Sequence, residues 1–154
     1  FLQGRSTREG APKDITWFAH DGSEMSDATW TDGDARTLGV RLDGTQIDET
    51  DALGNPVVGD TLFLLFSAHD EPVRFTLPAR TPTQQWERLL DTADVHGEQL
   101  ILDGGQQYLL RGRSLALLTT RLPQEKGQPV SAIQAETLRK EVRRPAHPMQ
   151  HLMP

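Results

Sequence analysis

The side chains that could do chemistry in this chain are few in kind and awkwardly spaced. Five histidines stand at positions 20, 69, 96, 147 and 151. Only His147 and His151 have the spacing of a paired metal ligand on a helix, and Pro148 between them spoils that presentation. DETDALG, from Asp48, opens like a calcium loop, but Thr50 and Ala52 occupy positions that need oxygen-rich side chains. GRSLA, around Ser114, lacks the second glycine of a nucleophile elbow and precedes a strand, so Ser114 reads as a turn residue. Neither glycine-rich phosphate-binding pattern occurs. With no cysteine there is no thiolate nucleophile, disulfide framework or Cys-based zinc site. The expectation is no metal, no cofactor and no catalytic residue.

Carboxylates are plentiful, and a glycosidase needs two of them about 5–9 Å apart across a cleft, one desolvated. Here the acids fall mostly where turns need them: Asp43, Asp48, Asp51, Asp70 and Asp103. Tryptophan faces stack on sugar rings, so Trp17, Trp30 and Trp86 could form a carbohydrate platform. Trp86 sits in strand register with Leu90 and is assigned to the core. Trp17 and Trp30 flank the irregular AHDGSEMSDAT and are harder to place inside.

The elements that must position these residues are strands. DTLFLLFSAHDEPVRFTLPA holds a near-continuous apolar run from Thr61 to Ala68, as in a central strand buried on both faces. His69 to Pro72 supplies a turn, and Val73, Phe75 and Leu77 then alternate with Arg74 and Thr76. The pair reads as a hairpin, with Leu62, Leu64, Phe66, Val73, Phe75, Leu77 and Leu117 in the core. RTLGVRL places Leu38, Val40 and Leu42 on one face, and ITWF is short and rich in β-formers. QLILDGGQQYLL reads as two strands about an Asp-Gly-Gly turn, and SLALLTTRL as the last strand. ETDALGNPVVGD is a polar loop, and no helix is expected before residue 123. The fold class is therefore all-β, an antiparallel two-sheet sandwich of Greek-key type.

The 154 residues bound one domain with a tail. Formal charge is −6, unevenly spread. Residues 1–120 hold 10 basic and 19 acidic side chains, net −9, and residues 121–154 hold 6 and 3, net +3. So acidic a body repels a phosphate backbone, and no run approaches the ~18 apolar residues of a membrane span. Neither nucleic acid nor membrane is an expected partner. After Pro123 come a linker, QEKGQP, then a short helix with a capping box at Ser131 and Gln134, then an aperiodic end. The expected division is a domain over 1–122 and a partly helical tail over 123–154.

FLQGR, KDITWF, DGSEMSDATW, ARTLGVRLDG, DTLFLLFSAHDEPVRFTLP and WERLLDTA, closing with GRSLALL, together resemble the C-terminal region of bacterial glycogen debranching enzymes. These are isoamylase-type members of the α-amylase superfamily that hydrolyse α-1,6 branch linkages. The resemblance runs from Phe1 to about Leu122. It implies the β-sandwich that follows a catalytic (β/α)₈ barrel, with the barrel as partner and α-glucan as a partner by way of the parent enzyme. The family's catalytic acids lie in the barrel, which needs ~200 residues or more, and no position here matches their motifs. A chain that opens on FLQGR is then expected to lack an upstream barrel, and its location to be cytoplasmic. The expected contacts with the barrel are Phe1, Leu2, Trp17 and Trp30, through which the isolated chain is expected to self-associate. A carbohydrate-binding module acting through exposed tryptophans, and a structural interaction sandwich, are the alternatives.

Overall fold

A computed structural model of the chain describes residues 2–6, 9–47 and 49–120. Phe1, Asp48, the expected boundary after residue 122, the tail helix and the His147/His151 pair lie outside the described residues. The described residues belong to one compact unit.

Among the described residues eight strands follow in chain order: β1 (Ile15–Phe18), β2 (Thr37–Leu42), β3 (Thr61–Ser67), β4 (Val73–Thr76), β5 (Gln85–Asp91), β6 (Ile101–Asp103), β7 (Gln107–Leu110) and β8 (Ser114–Thr120). One sheet has six strands in the order β1-β2-β3-β8-β5-β6, and β4 and β7 pair as a second, small sheet. Every pairing is antiparallel. The all-β two-sheet architecture is as the sequence implies. Two short helical turns interrupt it, contrary to the expectation of none. One is α1 (Asp27–Trp30), whose N-cap Ser26 accepts from the Thr29 amide, and the other is a 3₁₀ turn over Gly44–Gln46 behind Asp43.

The expected hairpin of β3 with β4 does not form. Both edges of β3 are already taken, by β2 and β8, so the chain turns at His69–Pro72 and crosses to the other sheet. The Asp-Gly-Gly turn likewise joins β6 in one sheet to β7 in the other, with Gly105 at φ 86°. After β7, the turn at Arg111–Arg113 returns the chain to the middle of the large sheet. That turn locks against the β3–β4 corner. The Arg113 amide donates to the His69 carbonyl at 2.9 Å, the Arg113 guanidinium pairs with Asp70, and a Cβ on Gly112 would lie 2.1 Å from the Asp70 carbonyl oxygen.

The core lies between the sheets. Phe18, Phe63, Leu65, Ala116, Leu118 and Trp86 descend from the large sheet onto Phe75, Leu77, Tyr108 and Leu110. Phe63 packs edge-on against Phe18 at 5.6 Å between ring centroids and is tilted against Trp86 at 5.3 Å. The Trp86 indole N–H donates to the Pro78 carbonyl at 2.9 Å, which satisfies its one polar atom. Arg41 is also buried, its guanidinium over the Phe18 ring and bonded to Thr16 Oγ1 at 3.1 Å.

Phe75 and Leu77 are in the core as expected, and Val73 packs against its margin. Leu62, Leu64, Phe66 and Leu117 are not in it. Strand alternation puts Phe63, Leu65 and Leu118 inward and so sends these four to the other side of the sheet. Leu90 also parts from Trp86, because the register slips between Arg88 and Leu90. Beyond that bulge Leu90 pairs with Leu117 and is exposed.

Candidate functional site

Hydrolysis of a glycosidic bond would need carboxylates. Asp91, buried at the end of β5, accepts from the Tyr108 hydroxyl and from the Ala93 amide at 2.8 Å. Asp43, also buried, accepts from the Thr45 amide, the Thr45 hydroxyl at 2.6 Å and Arg80 at 3.2 Å. Asp51 caps the bend of its loop through Leu53 and Asn55, and Asp70 holds Arg113. Burial acts to raise the Asp14 pKa, but the amides of Gln3, Ile15 and Arg5 outweigh it and the net shift is downward. The Ser23 hydroxyl and amide hold Asp21 low, and the backbone and side chain of Asn55 hold Asp51 low. A general acid needs the reverse shift. Each of these carboxylates has a local structural task, and among the described residues no cluster of three or more His, Asp or Glu could hold a metal ion.

An open groove of about 360 Å³ beside β5 is lined by Arg88, Asp94, Val95, Glu98 and Gln99, among others. Arg88 there is bonded to Asp94 at 2.8 Å and to the Glu98 carbonyl at 2.6 Å. The groove's cation is engaged by its own walls.

The tryptophans separate. Trp86 is fully buried, whereas Trp17 and Trp30 are 37% and 52% exposed and meet edge to face, centroids 5.6 Å apart and planes at 72°. A ring pair at that angle offers no common plane for a sugar. Trp30 reaches Trp17 because the segment before α1 is stitched to β1, where the Met25 amide donates to the Trp17 carbonyl at 2.9 Å. Leu2 is exposed on a separate segment, tied to Asp14 through the amides of Gln3 and Arg5. Of the expected contact residues, then, the fold joins Trp17 with Trp30, and Leu2 lies on the segment bonded to Asp14. Phe1 lies outside the described residues.

Leu62, Leu64, Phe66 and Leu117, expected in the core, belong instead to an apolar outward face. Residues directly opposite in antiparallel strands share a face. Trp17, Val40, Leu64, Leu117 and Leu90 form one row across five strands. Ile15, Leu42 and Leu62 form a second row that continues through Thr119 and Glu87 to Ile101 on β6, and Leu38, Phe66 and Leu115 form a third. All lie on the side of the large sheet away from β4 and β7. Glu87 is the one charged residue in these rows. Phe66 is 36% and Leu90 44% exposed, and the bulge leaves Leu89 exposed as well. The outward side of the small sheet has a different composition, with Arg74 opposite Leu109 and Thr76 opposite Gln107. The signal in the sequence was the near-continuous apolar run of β3, which implied cover on both faces. Among the described residues only the inward face meets a second sheet.

The family described as "Isoamylase, C-terminal" matches residues 14–119. The Glycogen operon protein GlgX homologs of Mycobacterium bovis and Mycobacterium tuberculosis are each 36% identical over 124 residues, covering 79% of this chain and 17% of theirs. Isoamylase 2, chloroplastic, of Arabidopsis thaliana is 28% identical over 109 residues, 64% of this chain and 12% of its own length. The chain thus spans less than a fifth of the curated relatives it matches.

Proposed function

The chain belongs to the isoamylase C-terminal domain family, and from that premise we propose that it is the non-catalytic C-terminal β-sandwich of a glycogen debranching enzyme. In this reading a (β/α)₈ barrel elsewhere in the same polypeptide hydrolyses α-1,6 branch linkages, and the sandwich stabilises it. The enzyme works in the cytoplasm, on glycogen. The observation that carries the proposal is the family match over residues 14–119, supported by 36% identity to the mycobacterial relatives. The carboxylates give it chemical support. Asp14, Asp43, Asp51, Asp70 and Asp91 are engaged by amides, hydroxyls and guanidinium groups of their own surroundings, which accounts for them without a hydrolytic role. Among the described residues no helix is long and apolar enough to cross a membrane.

Direct glucan binding through the tryptophans is the weaker reading, because Trp17 and Trp30 meet edge to face and Trp86 is buried. The test is a reducing-end assay on glycogen and amylopectin. The purified 154-residue chain is expected to release none, and the full-length polypeptide to release them at α-1,6 points. Debranching by the chain alone, free of contaminating enzyme, would overturn the proposal.

A further inference from the structure

The two central strands of the large sheet are apolar on both sides. β3 sends Phe63 and Leu65 inward and Leu62, Leu64 and Phe66 outward, and β8 sends Ala116 and Leu118 inward and Leu115 and Leu117 outward. A strand at the surface of a two-layer sandwich alternates apolar with polar, whereas a strand that is apolar throughout belongs to a sheet covered on both faces. The small sheet covers one side. Three apolar rows across the six strands make up the other side. Val40 in them is buried and Leu64 and Leu117 are half-buried, while Trp17, Phe66, Leu90 and Ile101 are exposed. Exposed apolar patches of this kind mark contact sites.

We infer that the outward face of the six-stranded sheet, centred on Leu64, Phe66 and Leu117, is the surface on which the catalytic part of the same polypeptide docks. This rests on the function proposed above and relocates the contact. Trp17 and Trp30 become one margin of the interface, and Leu90 and Ile101 lie toward the opposite one.

Three observations choose this occupant. The family is a C-terminal one, and the relatives hold more than four-fifths of their length outside the matched region, so a large neighbour in the same chain is at hand. The segment leading into β1 is fixed at this sheet. Asp14 accepts from the Gln3 amide at 2.6 Å and the Ile15 amide at 2.7 Å, and Ile15 is the first residue of the outward rows, so a preceding domain would arrive beside the face. Finally, β2, β3, β8 and β5 are each paired on both edges. The face therefore offers side chains and no free backbone ladder. It suits a layer of helices packed face-on, such as the outside of a (β/α)₈ barrel, and not an added strand.

Hydroxyl-radical footprinting of the full-length polypeptide tests this, with each rate expressed as a protection factor against the free amino acid. Leu109, on the outward side of the small sheet, is 51% exposed and serves as the reference beside Leu90 at 44%. Leu90, Phe66 and Trp17 are expected to be protected about tenfold more than Leu109. In the same polypeptide Phe66→Ser is expected to shorten the half-life of heat inactivation several-fold, and Leu109→Ser to leave it unchanged. Equal protection of Leu90 and Leu109 would overturn the inference. So would protection that fades on dilution, which assigns the face to a second copy. Protection that disappears when the polypeptide ends at residue 120 would also overturn it, by assigning the cover to residues 121–154. A full-length polypeptide with a protected face but no α-1,6 hydrolysis would sink the proposed activity and leave the docking surface standing.

Discussion

Tyr108 and Asp91 show how single side chains are used here. The phenol reaches from β7 to the buried carboxylate at the end of β5, and Arg88 lies beside them. Burial first, and then the bond to Asp91, push the Tyr108 pKa up to about 12, with Arg88 pulling the other way. An unfolded tyrosine titrates near 10. The stabilisation is therefore fully present below pH ~10 and is lost as pH rises toward about 12. By linkage the loss is roughly 2–3 kcal/mol over that window. Urea unfolding of the 154-residue chain at several alkaline pH values checks it. Tyr108→Phe is expected to remove most of that alkaline loss and to cost about 1–3 kcal/mol at neutral pH, since Asp91 loses a buried donor. An unchanged alkaline slope in Tyr108→Phe would contradict the assignment. Nothing in the sequence marked Asp91 or Tyr108 as partners, because their bond depends on which sheet each strand joins.

At the scale of elements, strand register decides which phenylalanines stabilise the domain. Phe63→Ala and Phe75→Ala should each cost about 3–5 kcal/mol, since both rings are fully buried between the sheets. Phe66→Ala in the 154-residue chain should cost under about 1 kcal/mol, because that ring is on the outward face. Equal losses at Phe63 and Phe66 in chemical denaturation would mean the register is wrong. The positions of the strands were legible in their apolar runs and turn residues. Their partners were not. His69–Pro72 and Asp103–Gln106 carry the turn chemistry of hairpins, yet both are corners between sheets, and turn residues encode a reversal without saying which sheet receives the chain. The choice of face was equally hidden on β3, because Leu62, Leu64 and Phe66 are as apolar as Phe63 and Leu65. On β5 the bulge after Arg88 broke a periodicity that would have kept Leu90 with Trp86.

The described residues form a sandwich whose small sheet carries Arg74, Thr76 and Gln107 on its outward side and whose large sheet is mostly apolar on its own. The 154-residue chain on its own is expected to self-associate through the outward rows. In sedimentation velocity across a concentration series, Trp17→Ser should weaken association more than it lowers stability. A chain that stays monomeric at high concentration would remove this prediction. The family was legible in short stretches such as DITWF and WERLLDTA, and the match over residues 14–119 agrees with them. The docking face was not legible, because a sheet's second cover is read from the folded layers and not from any one strand. The central claim is that this domain supports catalysis carried out elsewhere in the polypeptide. It is tested most directly by the half-life of debranching activity at elevated temperature, with and without residues 1–154. Removing them is expected to shorten the half-life by about an order of magnitude or to leave no soluble active enzyme. An enzyme of equal activity and equal half-life without them would contradict it.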